Sequence, residues 1–235
     1  MLFGNWQLLM ADPILFMRVV TVTITALTLA ITVHEASHAL IATWQGDRTA
    51  RGLGRLTLNP IRHIDPAGAA MLLLVGFGWG KPVPINPFWL RLGPRLGGAL
   101  VARAGPASNL LFVLLLSLPI RFGLMAWHAP LSYPPFAQMT LSWIIADVVG
   151  VVIFYNLILA VFNLIPLAPL DGFRVVAGLL PRELGARFAE LEPYGPGLLL
   201  TLLFLSYLPF IQFNMWDMLG PAVRTLSLIV VGRAL

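Results

Sequence analysis

The sequence contains no cysteine among its 235 residues. This absence excludes disulfides, thiolate metal ligands and thiol nucleophiles. A metal site in this chain must therefore use histidine, aspartate or glutamate. The sequence also shows no long polar tail, low-complexity tract or internal repeat.

Charged residues are scarce as well, at 11%, whereas 58% of the residues are hydrophobic and the mean hydropathy is +0.85. A water-soluble domain of this size cannot bury that much apolar surface, so part of the solvent must be lipid. The formal net charge of +5 could suggest nucleic acid, but the basic residues lie in short segments between apolar stretches. This pattern is typical of membrane-flanking residues, and we expect no nucleic-acid partner.

Long apolar stretches predict the fold. Crossing a bilayer takes about 20 mostly apolar residues, and the candidate spans are roughly 14–44, 97–120, 138–166, 196–214 and 216–233. The shorter, glycine-rich stretch 66–80 predicts a half-helix or re-entrant segment covered by other protein. We predict an all-α polytopic membrane protein with a single membrane-embedded domain over residues 1–235. It would have five to six transmembrane helices and a re-entrant loop or β-hairpin after the first helix.

Basic residues predict the orientation. On this topology, 12 of the 15 lysines and arginines lie on one side of the membrane, including Arg233 near the C-terminus. The positive-inside rule makes that side the cytoplasm. We therefore expect a multi-pass protein of the cell membrane, with residues 34–38 near the cytoplasmic end of the first helix.

His34 and His38 carry the strongest chemical signal, in the segment HEASH. Four residues apart on an α-helix, the two imidazoles share a face and are offset by about 6 Å, so both can bind one metal ion. Glu35 projects about 100° away, where it can accept a proton from a water molecule beside the metal. This H-E-x-x-H pattern predicts two zinc ligands and a general base on one helical turn.

The two histidines also have a purely structural interpretation, in which they satisfy each other or a backbone carbonyl. A charged side chain at the bilayer centre costs at least about 2.5 to 3.5 kcal/mol on insertion scales. A glutamate in this helix is therefore expected only where it has a function, and a role at the metal site would be such a function.

A catalytic zinc site usually has three protein ligands. His63 follows an arginine-rich loop and His128 falls in the segment predicted outside, so neither suits the site. Asp171 ends the charge-free run 148–170, within the segment NLIPLAPLDG. The prolines of this segment break the preceding helix, and the predicted topology returns Asp171 to the same cytoplasmic half as HEASH. We predict Asp171 as the third ligand. The alternative is that Asp171 and Gly172 form only a helix cap and a turn.

Four segments together resemble the site-2 protease family of intramembrane zinc metalloproteases, in particular its small bacterial-type branch. They are HEASH at 34–38, FGWGKPVPINP at 77–87, AGPASN at 104–109 and NLIPLAPLDG at 163–172. The resemblance extends over most of residues 30–193. It implies a re-entrant segment at 77–87 that could pair with an unwound substrate strand, although an interfacial loop is the alternative.

The resemblance also implies roles for individual residues. Three of them would bind one Zn²⁺ ion: His34, His38 and Asp171. Glu35 would act as the base, Asn163 would contact the substrate backbone, and Asn109 would be another polar group at the site. The expected reaction is hydrolysis of peptide bonds within or near transmembrane segments of single-pass membrane proteins. The apolar outer helices would also permit a homodimer.

Two other functions fit part of the pattern. Proline-broken helices with an intramembrane aspartate and inward-facing histidines can mark a transporter or channel, but that function predicts inverted repeats, which the sequence lacks. A membrane module that retains zinc without catalysing a reaction is the other alternative. Measuring bound zinc together with cleavage separates all three.

Overall fold

Helices form the secondary structure of the part of the chain that the computed structural model describes, namely residues 6–75, 78–128, 130, 139–206, 208 and 214–233. Ten α-helices lie in these ranges: α1 Trp6–Ala11, α2 Pro13–Trp44, α3 Thr49–Gly52, α4 Pro66–Val75, α5 Gly98–Arg121, α6 Leu141–Asn163, α7 Asp171–Leu179, α8 Arg182–Ala189, α9 Gly195–Leu205 and α10 Met215–Val230. An isolated antiparallel bridge joins Ile64 and Gly80. The all-α prediction is confirmed. The described residues contain no strand, so they do not form the alternative β-hairpin; residues 76 and 77 of that segment lie outside them.

Three helices of the described chain are long and apolar enough to cross a membrane. They are α2, α5 with the π-helical turn that precedes it, and α6, and they correspond to the predicted spans 14–44, 97–120 and 138–166. The helices in the last two predicted spans are shorter, with 11 residues in α9 and 16 in α10. A polytopic membrane fold is supported, whereas a count of five or six spans is not.

The length of α2 follows from its sequence. Asp12 caps the N-terminus by accepting a hydrogen bond from the Leu15 N–H at 2.9 Å, and Pro13 begins the first turn. No glycine or proline follows until Gly46, whose φ of 109° suits only the end of a helix. Threonine hydroxyls inside α2 donate to carbonyls four residues back, which satisfies them without water. The helix therefore runs unbroken through HEASH.

The centre of the structure is a bundle of α2, α5 and α6. Gln45 Nε2, just after α2, donates to the Gly97 carbonyl just before α5 at 3.0 Å, so the two helices run antiparallel. Buried positions on α2 are mostly small residues; these include Ala26, Ala30, Ala36, Ala39 and Ala42. Small residues let helix backbones approach closely in a membrane. This close approach brings polar groups from all three helices into one site.

The direction of α10 differs from the prediction. Ser117 Oγ donates to the Val230 carbonyl at 3.1 Å, and Arg121 Nη2 donates to the Ile229 carbonyl at 2.6 Å. The C-terminal end of α10 therefore lies beside the C-terminal end of α5, at the opposite end of the bundle from HEASH. The expectation that Arg233 returns to the HEASH side is wrong. Helix α9 has 11 residues, which is fewer than the about 20 that a span takes.

A buried ion pair joins α2 to α6 at the end of the bundle away from HEASH. Arg18 Nη2 lies 3.1 Å from Asp147 Oδ2, and the Asp147 side chain is 0% exposed. The Arg18 guanidinium also lies over the Trp143 ring, 4.9 Å from its centroid. A buried charge needs such a partner, because an unpaired one is far more costly.

We expect Arg18→Met to destabilise the protein by up to about 3 to 5 kcal/mol, because it leaves Asp147 buried without its partner. Thermal unfolding in detergent measures the effect. The matched control is the double variant Arg18→Met, Asp147→Leu, which removes both charges and should recover most of the stability. A single variant that unfolds at the wild-type temperature would contradict a stabilising role for the pair.

Candidate metal centre

His34 and His38 lie on adjacent turns of α2, and both are buried. Their ring centroids are 4.7 Å apart, and the ring planes meet at 87°. A spacing of four residues gives this arrangement directly, because such side chains share one helical face. Both Nε2 atoms contact the same carboxylate oxygen.

That oxygen is Oδ2 of Asp171, the first residue of α7. It lies 3.0 Å from Nε2 of His34 and 3.2 Å from Nε2 of His38. The irregular segment between α6 and α7 turns the chain back, so that α7 packs on α5. Gly172 makes this turn possible, since a β-carbon there would collide with carbonyl oxygens of the segment. The structure thus brings together the three residues predicted as ligands.

The outer ring nitrogens determine the tautomer of each histidine. His34 Nδ1 lies 2.7 Å from Asn109 Oδ1, and His38 Nδ1 lies 2.8 Å from the Val101 carbonyl oxygen. A carbonyl oxygen only accepts, so in each neutral ring Nδ1 carries the proton and donates it. The Asn109 amide is oriented by its nitrogen, which donates to the Ala30 carbonyl at 3.0 Å. Both Nε2 atoms therefore present lone pairs to Asp171.

With both rings neutral, these three electron-pair donors converge with no proton between them. The buried Oδ2 of Asp171 accepts no hydrogen bond in the structure. The ligand atoms of the three residues all lie within 4.8 Å of one another. The lone pairs of these atoms repel one another and have lost their hydration, so a cation is needed to stabilise the group. Two imidazole nitrogens and one carboxylate oxygen form a donor set found in catalytic zinc sites, so the residues fit a zinc ion.

Gly105 of α5 keeps the space between the histidines open. A β-carbon built on Gly105 would lie 2.6 Å from Nε2 of His34 and 2.6 Å from Nε2 of His38. These distances are shorter than any non-bonded contact of a methyl group. A side chain at position 105 would therefore occupy the point on which the predicted ligands converge.

Glu35 lies beside this group, as its position next to His34 on the helix requires. Its side chain is half-buried, and its Oε2 accepts a hydrogen bond from the Val83 N–H at 3.1 Å. Gly80 lies on the same side, since a β-carbon built there would be 3.7 Å from Glu35 Oε1. Residues 80–83 therefore cover Glu35 and orient its carboxylate.

Arg55 holds this covering segment in place. Its side chain is buried and donates from Nη1 to the Pro82 carbonyl at 3.2 Å and from Nη2 to the Lys81 carbonyl. Burial lowers the pKa of the Arg55 guanidinium, and the negative charge of Glu35 opposes this shift. Arg55 thus combines a structural contact with a positive charge near the predicted base.

The two asparagines predicted to contact substrate occupy different places. Asn163 is the last residue of α6, where it is half-buried and its Nδ2 donates to a carbonyl of its own helix at 3.0 Å. Asn109 is fully buried, and its amide contacts His34 and Asn156. The structure therefore links Asn109 to a predicted ligand, and its contact with substrate stays a prediction.

The other two histidines lie away from the predicted ligands. The buried His63 donates from Nε2 to the Thr57 carbonyl at 2.8 Å, and the His128 ring packs on Trp143 at 5.2 Å between centroids. Both contacts fit structural roles.

The sequence predicted Asn109 at the site, but not its bond to His34 or the contacts that Val101 and Gly105 of α5 make with the histidines. Asn109 contacts His34, the Val101 carbonyl contacts His38, and Gly105 faces both rings. Their spacing of four residues was the available signal, because it places all three on one helical face.

Comparison with known proteins connects this geometry to a family. A family model described as peptidase family M50 matches residues 122–203. YwhC of Bacillus subtilis, named as a zinc metalloprotease, is 39% identical over 194 residues, which cover 83% of this chain and 84% of YwhC. The chain belongs to peptidase family M50. The resemblance to the site-2 protease family is thereby confirmed.

Two further M50 relatives are also named as zinc metalloproteases. Rip2 of Mycolicibacterium smegmatis is 29% identical over 193 residues, or 78% of this chain and 66% of Rip2. Rip2 of Mycobacterium tuberculosis is 28% identical over 197 residues, or 81% of this chain and 70% of that protein. No solved structure matches the chain. The relatives' names agree with the zinc-type donor set of His34, His38 and Asp171.

We expect Gly105→Ala to lower the zinc content of the purified protein, because the added methyl group would occupy the space between the two Nε2 atoms. Elemental analysis of metal per chain measures the loss. Gly98→Ala is the matched control, since it also lies on α5 but a β-carbon there meets no atom within 4 Å. Wild-type zinc content in Gly105→Ala would contradict the position assigned to the ion.

Proposed function

We propose that this chain is an intramembrane zinc endopeptidase that hydrolyses peptide bonds within or near transmembrane segments of membrane-protein substrates. The observation that carries the proposal is the convergence of three ligand atoms beside a glutamate, inside a bundle of membrane-length helices. Membership of peptidase family M50 supports the same reaction.

In this proposal the metal ligands are His34, His38 and Asp171. Their Nε2 atoms and carboxylate oxygen already face one another, so little rearrangement is needed to bind an ion. When bound, zinc acts as a Lewis acid that polarises a carbonyl group and acidifies water. The hydrogen bonds to Asn109 and to the Val101 carbonyl keep both imidazoles in the ligating tautomer.

Glu35 is the proposed general base. As a carboxylate it takes a proton from the attacking water, and as the resulting acid it gives that proton to the leaving amine. The Val83 N–H fixes one carboxylate oxygen and leaves the other to reach the water. Glu35 is only half-buried, so a water molecule and a substrate carbonyl can approach it.

The substrates we propose are single-pass membrane proteins. A transmembrane helix hides its amides in internal hydrogen bonds, so part of it must unwind before a peptide bond can be cut. Asn163, which is half-buried at the end of α6, has an amide suited to hold the unwound backbone. Asn109 is a second predicted contact, although its buried amide would have to exchange bonds to reach a substrate.

We further propose a single membrane-embedded domain over residues 1–235 that lies in the lipid bilayer of the cell membrane. The basic loops after α2 and α7 support a cytoplasmic location for the HEASH end and the active site. The ten-residue helix α4 is the proposed re-entrant element, because it is too short to span. Five to six spans, counting the short helices, and a homodimer through the apolar outer faces belong to the same proposal.

The transporter and the non-catalytic zinc module remain the alternatives to test. Neither needs a general base beside the metal ligands. The three functions therefore predict different effects of a substitution at Glu35.

We expect Glu35→Gln to retain zinc but to reduce cleavage of a single-pass substrate by at least about a hundredfold, since the amide cannot take a proton. The glutamine oxygen can still accept from the Val83 N–H, so the local structure should persist. Bound zinc and cleavage are measured on the same reconstituted protein.

Glu183→Gln on α8 is the control, because it makes the same chemical change at an exposed position. Full cleavage by Glu35→Gln would refute the proposed mechanism. A wild-type protein that holds zinc without cleaving any membrane substrate would favour the non-catalytic module, and one without zinc would favour the transporter.

A further inference from the structure

Asn156 lies in the middle of α6, a membrane-length helix, and is 0% exposed. Its Nδ2 donates to the Val152 carbonyl at 2.8 Å, and its Oδ1 accepts a hydrogen bond from Asn109 Nδ2 at 2.7 Å. Both polar atoms of the amide therefore have partners, as the interior of a membrane bundle requires. The reaction described above does not use this residue.

The hydrogen bonds around Asn156 form a series in which the direction of each bond is fixed. The Val152 carbonyl can only accept, so the Asn156 nitrogen faces it and the Asn156 oxygen faces Asn109. The Asn156 oxygen also can only accept, so it accepts a hydrogen bond from the Asn109 nitrogen. The Asn109 oxygen therefore faces His34 Nδ1, at 2.7 Å. A backbone carbonyl of α6 thus sets the polarity of hydrogen bonds that end on α2.

Reversing the direction of these hydrogen bonds would prevent His34 from binding the metal. If the Asn109 amide were flipped, its N–H would face His34 Nδ1, which would then have to accept the hydrogen bond. The neutral His34 ring would carry its proton on Nε2 and would lose the lone pair that faces Asp171. Asn156 opposes this flip, because a flipped Asn109 would place its oxygen against the Asn156 oxygen.

We propose that Asn156 is a positioning residue for zinc, which acts through Asn109 to hold His34 in the tautomer that can bind the metal. This inference rests on the proposed function. The Ala30 carbonyl also accepts from the Asn109 nitrogen, at 3.0 Å, so Asn156 shares the task with the backbone of α2. A partial loss of metal affinity is therefore the expected effect of removing Asn156.

The test measures zinc affinity by competition with a chelator, on the full chain in detergent. Asn156→Leu removes the acceptor at similar volume and should weaken zinc binding about tenfold, as outer-shell changes commonly do. The double variant Asn156→Leu, Asn109→Leu should bind zinc no more weakly than Asn109→Leu alone, because Asn156 acts only through Asn109. Nitrogen-15 spectra of the histidine-labelled, zinc-free protein should show neutral His34 as the Nδ1–H tautomer in the wild type and as a mixture of the Nδ1–H and Nε2–H tautomers in Asn156→Leu.

Two further variants keep the test decisive. Ser117→Ala is the matched control, because Ser117 is also 0% exposed and bonded to backbone carbonyls but belongs to the far end of α5. It should keep wild-type zinc affinity. Asn156→Ser covers the case in which Asn156→Leu does not fold, since a serine can still bond to the Val152 carbonyl but is too short to reach Asn109.

Unchanged zinc affinity in the folded Asn156 variants would overturn this inference and leave the proposed function intact, even if thermal stability falls. Additive losses in the double variant would overturn it as well. A wild-type protein that binds no zinc would overturn the proposed function together with this inference. Tenfold weaker binding with the altered His34 spectrum would support it.

Discussion

The convergence of three electron-pair donors on one point is the constraint on which the rest of the structure depends. One aspartate oxygen lies 3.0 and 3.2 Å from two imidazole nitrogens inside a bundle of apolar helices. This arrangement is costly without a cation, because the donors repel and have lost their water. Three elements bring these donors together. They are the unbroken α2, the glycine-bearing face of α5 and the irregular segment before α7.

The lipid-like surroundings explain why many polar side chains of the bundle have partners within the protein. In a medium without water, each buried donor and acceptor must find a partner within the protein. Threonines bond to their own helix, Asn109 and Asn156 bond across helices, and Arg18 pairs with Asp147. The two ends of the bundle therefore differ in character: an ion pair joins α2 and α6 at one end, and the candidate metal centre lies towards the other.

The local parts of this arrangement could be predicted from sequence, whereas most of the tertiary contacts could not. The spacing of His34 and His38 within an apolar stretch gives their shared face, because helix geometry alone decides it. Asp171 could be predicted as a ligand from its proline-broken segment and from the family resemblance. The role of Gly105 depends on how closely α5 approaches α2, and no local pattern encodes that distance. The direction of α10 was mispredicted, because hydropathy and charge do not show that α9 ends after 11 residues.

The most direct test of the central claim is anomalous diffraction at the zinc absorption edge from crystals of the zinc-loaded protein. The account predicts one strong peak, about 2.0 to 2.2 Å from Nε2 of His34, Nε2 of His38 and a carboxylate oxygen of Asp171. A zinc peak at any other place, or an Asp171 carboxylate outside coordinating distance of a zinc ion held by the histidines, would contradict it.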